Sequence, residues 1–301
     1  MRAQFCDAMV VRGRRLNVAF LTGDLGFMAL EPLQKALGRR FINAGVSEQN
    51  MLSVAAAMCK AGLEVWAYSI APFCYARPFE QIRNDIALHG LPVKIVGNGG
   101  GYGYGVMGPT HHAIEDYGVL LTLPGMHACI PVFDEDIEAA VAAVAEDRRP
   151  TYLRLGRGEA PAGYAAPRFA PWRRLTTGRG PVLVVVGPAG VYLSTCLAEP
   201  EDRRPELWGV SMLPIDDFPP PEALLESLDA SGRLLVAEEH VRRGGAGSEF
   251  ALWLTERGLV PRRFRHLCAT AHCFERYGSQ AHMRRMSGLD PASLKAAMAS
   301  L

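Results

Sequence analysis

The stretch Phe41-Ile42-Asn43-Ala44-Gly45-Val46-Ser47-Glu48-Gln49-Asn50 decides the fold of this chain. Its pattern predicts a short apolar strand that passes through Gly45 into a helix. Ser47 is a suitable N-cap, because its side-chain oxygen can accept a hydrogen bond from an amide of the first turn. Glu48 follows in that turn, where the helix dipole favours a carboxylate, and Gly62 can end the helix. From the local sequence alone, Glu48 is a solvated glutamate at a helix start.

The segment before this stretch predicts a second strand and a turn. Residues 17–22 form an apolar run rich in β-forming residues, and Gly23-Asp24-Leu25-Gly26 follows it as a turn. In an open α/β sheet, ligands bind at the carboxyl ends of the strands. Asp24 and Leu25 are therefore candidate site residues, although Asp24 is equally suited to forming the turn alone.

The segment after this stretch continues the alternation of strands and helices. Residues 64–69 predict a strand, and Pro78 is suited to the first turn of a new helix that Gly90 ends. Phe73 lies between these two elements, and Arg77 directly precedes the proline. Phe73 offers a flat aromatic face to a planar ligand, and burial in the core is the alternative.

The next strand, residues 91–97, opens a loop with seven glycines in the twelve residues 97–108. The loop contains a G-x-G-x-x-G pattern, but Pro109 follows it and no helix opens inside it, which argues against a dinucleotide site. A flexible loop at the end of a strand is a candidate wall of a site. His111 follows the loop, and its imidazole can relay protons or bind a substrate oxygen. His111 and Glu115 are one helical turn apart, but two residues without a third ligand do not predict a metal site.

Three of these segments resemble the transketolase family. Gly45-Val46-Ser47-Glu48-Gln49-Asn50-Met51 is similar to the family's G-[IV]-[AS]-E-Q-N-M signature. Arg77-Pro78-Phe79-Glu80-Gln81-Ile82-Arg83-Asn84-Asp85 is similar to its R-x-[FY]-[ED]-Q-[IL]-R-N-[DS] helix. Gly108-Pro109-Thr110-His111-His112-Ala113-Ile114-Glu115-Asp116 is similar to the G-[PA]-[ST]-H-[HQ]-x-[IVL]-[ED]-[DQ] segment of transketolases and deoxyxylulose-phosphate synthases.

This resemblance implies a site for thiamine diphosphate. It implies that Glu48 binds N1′ of the aminopyrimidine ring and thereby promotes deprotonation of C2 of the thiazolium. It places Phe73 against the face of the aminopyrimidine, and it places Asp24, Leu25 and Arg77 beside the cofactor. The cofactor would supply the carbanion chemistry, and the protein would supply orientation and proton control.

The resemblance also implies a substrate side of the site, and here the chain departs from the family. His111 is expected close to the thiazolium and the substrate. Arg157 matches a phosphate-binding arginine, for which a surface arginine is the alternative. Met107 replaces an aspartate that contacts the sugar donor, and Asn98-Gly99-Gly100 replaces the family's T-H-D. Two polar groups that would hydrogen-bond a polyol are therefore absent, which predicts an altered substrate pocket at Met107 and Gly99.

The predicted fold class is α/β, with two domains that each contain a mostly parallel sheet flanked by helices. Residues 1–160 are the expected pyrimidine-binding domain, residues 161–178 a linker, and residues 179–301 a domain similar to the transketolase C-terminal domain. The family's G-D-G motif, which binds Mg²⁺ and the diphosphate, does not occur in the sequence. The resemblance therefore implies a companion subunit that supplies this motif and Mg²⁺, in an α2β2 heterotetramer in which this chain also pairs with itself.

Together these expectations describe the beta subunit of a two-component, thiamine-diphosphate-dependent transketolase-like transferase. It would move a two-carbon ketol or related acyl-type unit from a ketose or keto donor to an aldehyde-type acceptor. Three alternatives stay open: a deoxyxylulose-phosphate-synthase-like enzyme, the beta subunit of a 2-oxo acid dehydrogenase, and a non-catalytic scaffold subunit. The paired E-Q-N and G-P-T-H-H motifs argue against the dehydrogenase, and the intact Glu48, Phe73 and His111 argue against the scaffold.

Composition limits the function further. The 301 residues are 49% hydrophobic and 21% charged, which is typical of a globular chain of roughly two domains. A net charge of +1 gives no indication of a nucleic-acid partner, and no apolar run approaches the ~20 residues of a membrane span. The seven cysteines contain no C-x-x-C pair, so we expect reduced thiols in the cytoplasm rather than disulfides or a zinc site.

Overall fold

The computed structural model describes residues 1–26, 28–272 and 275–301 and contains two sheets flanked by helices, which confirms the predicted α/β class. The strands are β1 (Val18–Thr22), β2 (Phe41–Asn43), β3 (Glu64–Ile70), β4 (Lys94–Asn98), β5 (His127–Cys129), β6 (Thr151–Leu155), β7 (Trp172–Arg174), β8 (Val182–Val186), β9 (Glu206–Val210), β10 (Met212–Leu213), β11 (Arg233–Val241) and β12 (Arg263–Ala269). The α-helices are α1 (Arg2–Arg12), α2 (Glu31–Leu37), α3 (Glu48–Lys60), α4 (Ala71–Tyr75), α5 (Phe79–Gln81), α6 (Asp116–Leu121), α7 (Ile137–Glu146), α8 (Gly190–Leu197), α9 (Glu222–Ser231), α10 (Ala246–Glu256), α11 (Gln280–Met286) and α12 (Pro291–Ala299).

The first sheet has the strand order β10-β5-β6-β4-β3-β1-β2, and its pairs are parallel except for β10 with β5. Strands β1, β4 and β6 are buried along their whole length, as expected for a parallel sheet with helices on both faces. The register pairs Thr22 with Asn43, and Ile70 with Asn98. The ends of β1, β2, β3 and β4 therefore lie along one edge of this sheet, the edge where a ligand is expected.

Helix α3 begins at Glu48 and ends before Gly62, as predicted. Its buried face repeats every three to four residues, at Met51, Leu52, Ala55, Ala56 and Cys59. Ser47 occupies the N-cap position, but its side chain makes no capping hydrogen bond, so the predicted cap interaction is wrong.

The helix predicted after Pro78 is shorter and less regular than expected. Only Phe79–Gln81 is an α-helix, and Ile82–Ala87 continues it as a π-helix. Ile82 and Ile86 are nevertheless buried, as the apolar pattern predicts. A π-helical turn inside a helix is frequent at functional sites, and this one follows Arg77 closely.

The second sheet has the strand order β12-β11-β8-β9-β7, with β7 antiparallel at its edge. Strand β7 lies inside residues 161–178, which the sequence presents as a linker. Trp172 and Arg173 are buried there, and Arg173 pairs with the buried Asp136. The apolar pattern of residues 206–212 predicts a single strand. In the structure these residues form β9 in the second sheet and the start of β10 in the first. The chain therefore crosses between the two sheets at Ser211.

The described cysteines are free buried thiols, namely Cys6, Cys59, Cys74, Cys129, Cys196 and Cys268. Cys273 lies outside the described residues. Among the described helices, none has the length and apolar character needed to cross a bilayer.

Candidate functional site

Glu48 is buried at the start of α3, and its carboxylate is only 5% exposed. The solvated glutamate predicted from local sequence is therefore wrong. Glu48 Oε1 accepts a hydrogen bond of 2.7 Å from Arg77 Nη1. The Cα of Gly23 faces the same carboxylate, because a Cβ atom built there would lie 3.9 Å from Glu48 Oε1. Gly23 thus leaves space beside the carboxylate at the end of β1.

Phe73 and Arg77 lie in and just after α4, where they form one stack. The guanidinium carbon of Arg77 lies 4.0 Å from the centre of the Phe73 ring. The side chain of Arg77 is 46% exposed, whereas Phe73 is half-buried. Arg77 therefore joins the Glu48 carboxylate to the aromatic face of Phe73, and its planar cation makes an ion pair with one and a cation–π contact with the other.

His111 is the next residue of the cluster, and it contacts Phe73. Its imidazole meets the Phe73 ring edge-on, with centroids 5.1 Å apart, and the Tyr104 ring at 6.4 Å. Thr110 Oγ1 and His111 Nδ1 are 2.9 Å apart and share a hydrogen bond. Burial, and then the nearby Arg77 guanidinium, hold the pKa of His111 below its ordinary value. The imidazole is therefore predominantly neutral near pH 7 and can accept or relay a proton.

Asp24 and Leu25 form a tight turn at the end of β1. Asp24 has a positive φ of 56°, and its N–H donates to Asn43 Oδ1 at 2.9 Å. Asn43 Nδ2 donates to Asp24 Oδ1 at 3.0 Å, and the N–H of Gly45 donates to Asn43 Oδ1 at 3.0 Å. Leu25 O accepts from Thr22 Oγ1 at 3.1 Å. Asn43 thus ties the turn to the start of the glycine bend before Glu48.

Three further predicted site residues make no direct contact with Glu48 or His111 among the contacts described for residues 1–26, 28–272 and 275–301. Gly99, with a φ of 79°, lies against the Tyr104 ring at the end of β4. Met107 is 54% exposed in a 3₁₀ turn at the far end of the same loop. Arg157 is exposed after β6, and within the described residues no hydrogen bond joins it to Glu48 or His111.

The sequence did not identify the groups that hold the glycine-rich loop, residues 97–108, against the second domain. Glu239 in β11 has a side chain that is only 10% exposed, and its Oε2 accepts from the N–H of Tyr102 at 2.9 Å. Gln280 Nε2 donates to both carboxylate oxygens of Glu239, and Arg284 Nε donates to Oε1. Burial would raise the pKa of Glu239, but Arg284 and these donors hold it below its ordinary value. The carboxylate is therefore ionised where the loop crosses it.

The arrangement fits a planar heteroaromatic ligand that carries hydrogen-bonding nitrogens. A buried carboxylate, a partly exposed aromatic face and a neutral imidazole meet beside a glycine bend. No group of three potential metal ligands occurs within residues 1–26, 28–272 and 275–301. Of the predicted residues, Glu48, Phe73, Arg77 and His111 are thus joined by direct contacts. Asn43 is a further site residue that the sequence patterns did not identify. Its place at the end of β2, on the same sheet edge, is the feature that could have indicated it.

Comparisons with known proteins agree on one family. The model described as "Transketolase, pyrimidine binding domain" matches residues 15–162. A subunit of the apulose-4-phosphate transketolase of Phocaeicola vulgatus is 28% identical over 264 residues, 85% of this chain and 83% of that protein. A putative uncharacterized transketolase family protein of Sinorhizobium fredii is 30% identical over 264 residues, 83% of this chain and 74% of that protein. A solved structure described as a split gene transketolase, inactive beta4 tetramer, has a TM-score of 0.83 and 29% identity, covering 99% of this chain and 96% of that chain.

Proposed function

Because this chain belongs to the transketolase family, we propose that it is the beta subunit of a two-component, thiamine-diphosphate-dependent transferase. It moves a two-carbon ketol unit from a ketose or keto donor to an aldehyde acceptor in the cytoplasm. The observation that carries this proposal is the buried Glu48 carboxylate, which Arg77 joins to the face of Phe73. A relative that is named as one subunit of a transketolase, and is similar over most of both chains, supports the division of the enzyme into two chains.

Arg77 supports the assignment of the pyrimidine site. Its planar guanidinium hydrogen-bonds Glu48 and stacks on Phe73, and these are the two contacts that an aminopyrimidine would make. Arg77 therefore turns aside when the ring binds, and its 46% exposed side chain has solvent into which it can turn. Gly23 leaves room for the ring beside the carboxylate.

When bound, thiamine diphosphate would supply the carbanion chemistry of the transfer, and the residues of this chain would supply orientation and proton control. Glu48 would set the tautomer of the pyrimidine ring, because a carboxylate hydrogen-bonded to one ring nitrogen favours one tautomer. His111, neutral and tied to Thr110, exchanges a proton with the substrate oxygen. Asp24 and Leu25 border the pyrimidine through the turn that Asn43 fixes.

The diphosphate and Mg²⁺ are held by the companion subunit in this proposal. The sequence has no G-D-G motif, and the similar split gene transketolase is described as an inactive beta4 tetramer. We propose an α2β2 heterotetramer in which this chain pairs with itself and with the companion. We propose that Arg157, which is exposed after the end of β6, contributes to the binding of a phosphorylated substrate.

The proposal is tested with Glu48→Gln, which keeps the size of the side chain but removes its charge. In the complex with the companion chain, exchange of the thiazolium C2 proton for deuterium is followed by NMR. We expect Glu48→Gln to slow this exchange by about 10²–10⁴-fold, the range lost with a general acid–base group. The matched control is Glu80→Gln, an exposed glutamate of α5, which we expect to leave the exchange rate unchanged.

Exchange that is equally fast in the Glu48→Gln complex would refute the assignment of Glu48. A product assay with pyruvate and glyceraldehyde 3-phosphate is run beside it. Formation of deoxyxylulose phosphate would identify the synthase-like alternative, and absence of cofactor binding would identify a scaffold.

A further inference from the structure

The wall beside His111 is formed by an aromatic ring from the glycine-rich loop. The imidazole of His111 lies near two rings, with the Phe73 centroid at 5.1 Å and the Tyr104 centroid at 6.4 Å. Both rings meet the imidazole at a steep angle, 68° for Phe73 and 65° for Tyr104. If Phe73 carries the cofactor ring, as proposed above, Tyr104 borders the side of His111 that is left for the substrate.

Gly99 makes the position of Tyr104 possible. A Cβ atom on residue 99 would overlap the Tyr104 ring at Cδ2 and Cε2. The φ of Gly99 is 79°, a conformation that L side chains rarely adopt. The ring of Tyr104 therefore fills the space that a side chain at position 99 would use.

The polar end of Tyr104 is already bonded. Asn98 Nδ2, at the end of β4, donates to the Tyr104 hydroxyl at 2.6 Å. This bond fixes the ring and occupies one of the two lone pairs of its oxygen. The hydroxyl keeps its own hydrogen, so Tyr104 offers an aromatic face and one neutral polar end, and no charge.

The rest of the loop is also uncharged. Residues 97–110 contain no Asp, Glu, Lys, Arg or His. Val106 is 65% exposed and Met107 54% exposed, so the rim beyond Tyr104 presents apolar surface. This rim offers substrate hydroxyl groups no charged partner, whereas an apolar substituent can bury surface against it.

We infer that Tyr104 is a specificity-determining residue of the proposed transferase, and that it selects an aldehyde acceptor with an apolar or aromatic substituent. This inference rests on the proposed function, because it requires a substrate beside His111. A flat or apolar group gains contact with the ring, and aromatic pairs favour such edge or offset geometry. A polyhydroxylated acceptor gains no equivalent contact, so the two classes are discriminated at this wall.

The test uses the complete complex with its companion chain, thiamine diphosphate and Mg²⁺, and hydroxypyruvate as donor. Benzaldehyde is the aromatic acceptor, D-erythrose the polyhydroxylated acceptor, and glycolaldehyde the small acceptor without a further substituent. In the unmodified complex we expect kcat/KM for benzaldehyde to exceed that for erythrose at least tenfold. Tyr104→Ala is expected to raise KM for benzaldehyde about tenfold and to leave kcat with glycolaldehyde within a factor of two.

Tyr104→Phe is the matched control, because it keeps the ring and loses only the hydroxyl bonded to Asn98. We expect it to retain the preference for benzaldehyde. A preference for erythrose in the unmodified complex would overturn the inference, and so would a Tyr104→Ala variant that slows all three acceptors by one factor. A complex that binds no thiamine diphosphate and is inactive even with glycolaldehyde would refute the proposed function, and the inference with it.

A second measurement checks the geometry without activity. Gly99→Ala is made in the unmodified chain and in the Tyr104→Ala background, and thermal unfolding is recorded for each. We expect Gly99→Ala to lower Tm clearly more when the Tyr104 ring is present, because part of its cost is the overlap with that ring. An equal loss in both backgrounds would show that the ring does not occupy this space and would overturn the inference.

Discussion

At the scale of single residues, Arg77 connects the groups on which the proposed chemistry depends. Its guanidinium bonds the Glu48 carboxylate and stacks on Phe73, and its charge acts on His111. An arginine in this position gives the buried carboxylate a counter-charge. The motif resemblance identified Glu48, Phe73, Arg77 and His111 one by one. It did not predict that Arg77 would bridge the first two, since that contact depends on how α4 lies against α3.

We expect His111 to titrate below the usual histidine pKa of about 6.5, and Arg77→Gln to raise its pKa toward that value. Burial and the Arg77 charge both disfavour the imidazolium, and the variant removes the charge. The measurement is an NMR titration of the His111 ring protons in this chain alone. Arg83→Gln, which removes an exposed arginine bonded to Asn84, is the control and should leave the midpoint unchanged.

The sign of the effect on stability follows from the same shift. A lowered pKa means that the unfolded chain binds the proton more readily than the folded chain, so His111 lowers the free energy of unfolding as pH falls below about 6.5. The pKa account would be contradicted by a midpoint at or above about 6.5, or by one that Arg77→Gln does not move.

At the scale of elements, the glycine-rich loop is shaped by the second domain. Gly101 lies against Glu239, and a Cβ atom there would overlap its carboxylate. Tyr102 bonds Glu239 through its N–H and Ser287 Oγ through its hydroxyl at 2.8 Å. Gly105 lies against the backbone carbonyl of Gly278. The loop that carries Tyr104 toward His111 is therefore held from the side of β11 and α11.

We expect Glu239→Ala to loosen this loop without unfolding either sheet. The variant removes the acceptor used by Tyr102 N–H, Gln280 and Arg284 and leaves the Arg284 charge without that carboxylate. Amide hydrogen exchange of residues 99–108 should rise at least tenfold, while exchange in β1 and β4 stays slow. Glu226→Ala, a glutamate of α9 that lies away from the loop, is the control. Unchanged exchange in the loop of the Glu239→Ala variant would show that the second domain does not hold it.

The sequence predicted the elements of the first sheet better than those at the chain's far end. Strand β8 is a continuous apolar run, and β4 has an apolar centre, because helices cover both faces of the sheets. Strand β12, at the edge of the second sheet, begins with three exposed residues and gives no such run. Helix α11 has seven residues with a single buried methionine, Met283, which is too short for a periodic pattern. The local hydrophobic pattern therefore predicts elements that other elements cover. It fails for elements that lie at a sheet edge or that form only through tertiary contacts.

At the scale of the whole molecule, the two sheets share a buried polar junction. Arg154 in β6 donates through Nε to Asp116 at 2.8 Å, and through Nη2 to the carbonyls of Ala113 and Glu239 at 2.8 and 2.9 Å. Tyr152 also donates to Asp116 at 2.8 Å. Sequence motifs do not predict this junction, because its groups come from β6, α6 and β11, which are far apart along the chain. It fixes the segment after His111 to both domains.

We expect Arg154→Leu to lower the free energy of unfolding by about 3–5 kcal/mol, because it leaves the buried Asp116 carboxylate without its counter-charge. Urea unfolding measures this loss. The control is Arg149→Leu, whose arginine is 48% exposed and pairs with Asp217, and which should cost at most about 1 kcal/mol. Equal losses in the two variants would contradict a buried junction.

The central claim is that this chain completes a thiamine diphosphate site only together with a companion chain. The most direct measurement is calorimetric binding of thiamine diphosphate and Mg²⁺, with the particle mass from light scattering. It is made for this chain alone and for its mixture with a chain that carries the G-D-G motif. We predict tight binding only in the mixture, at the mass of an α2β2 heterotetramer. Absence of binding in the mixture would contradict the account, and the buried Glu48 beside Phe73 would then belong to a scaffold.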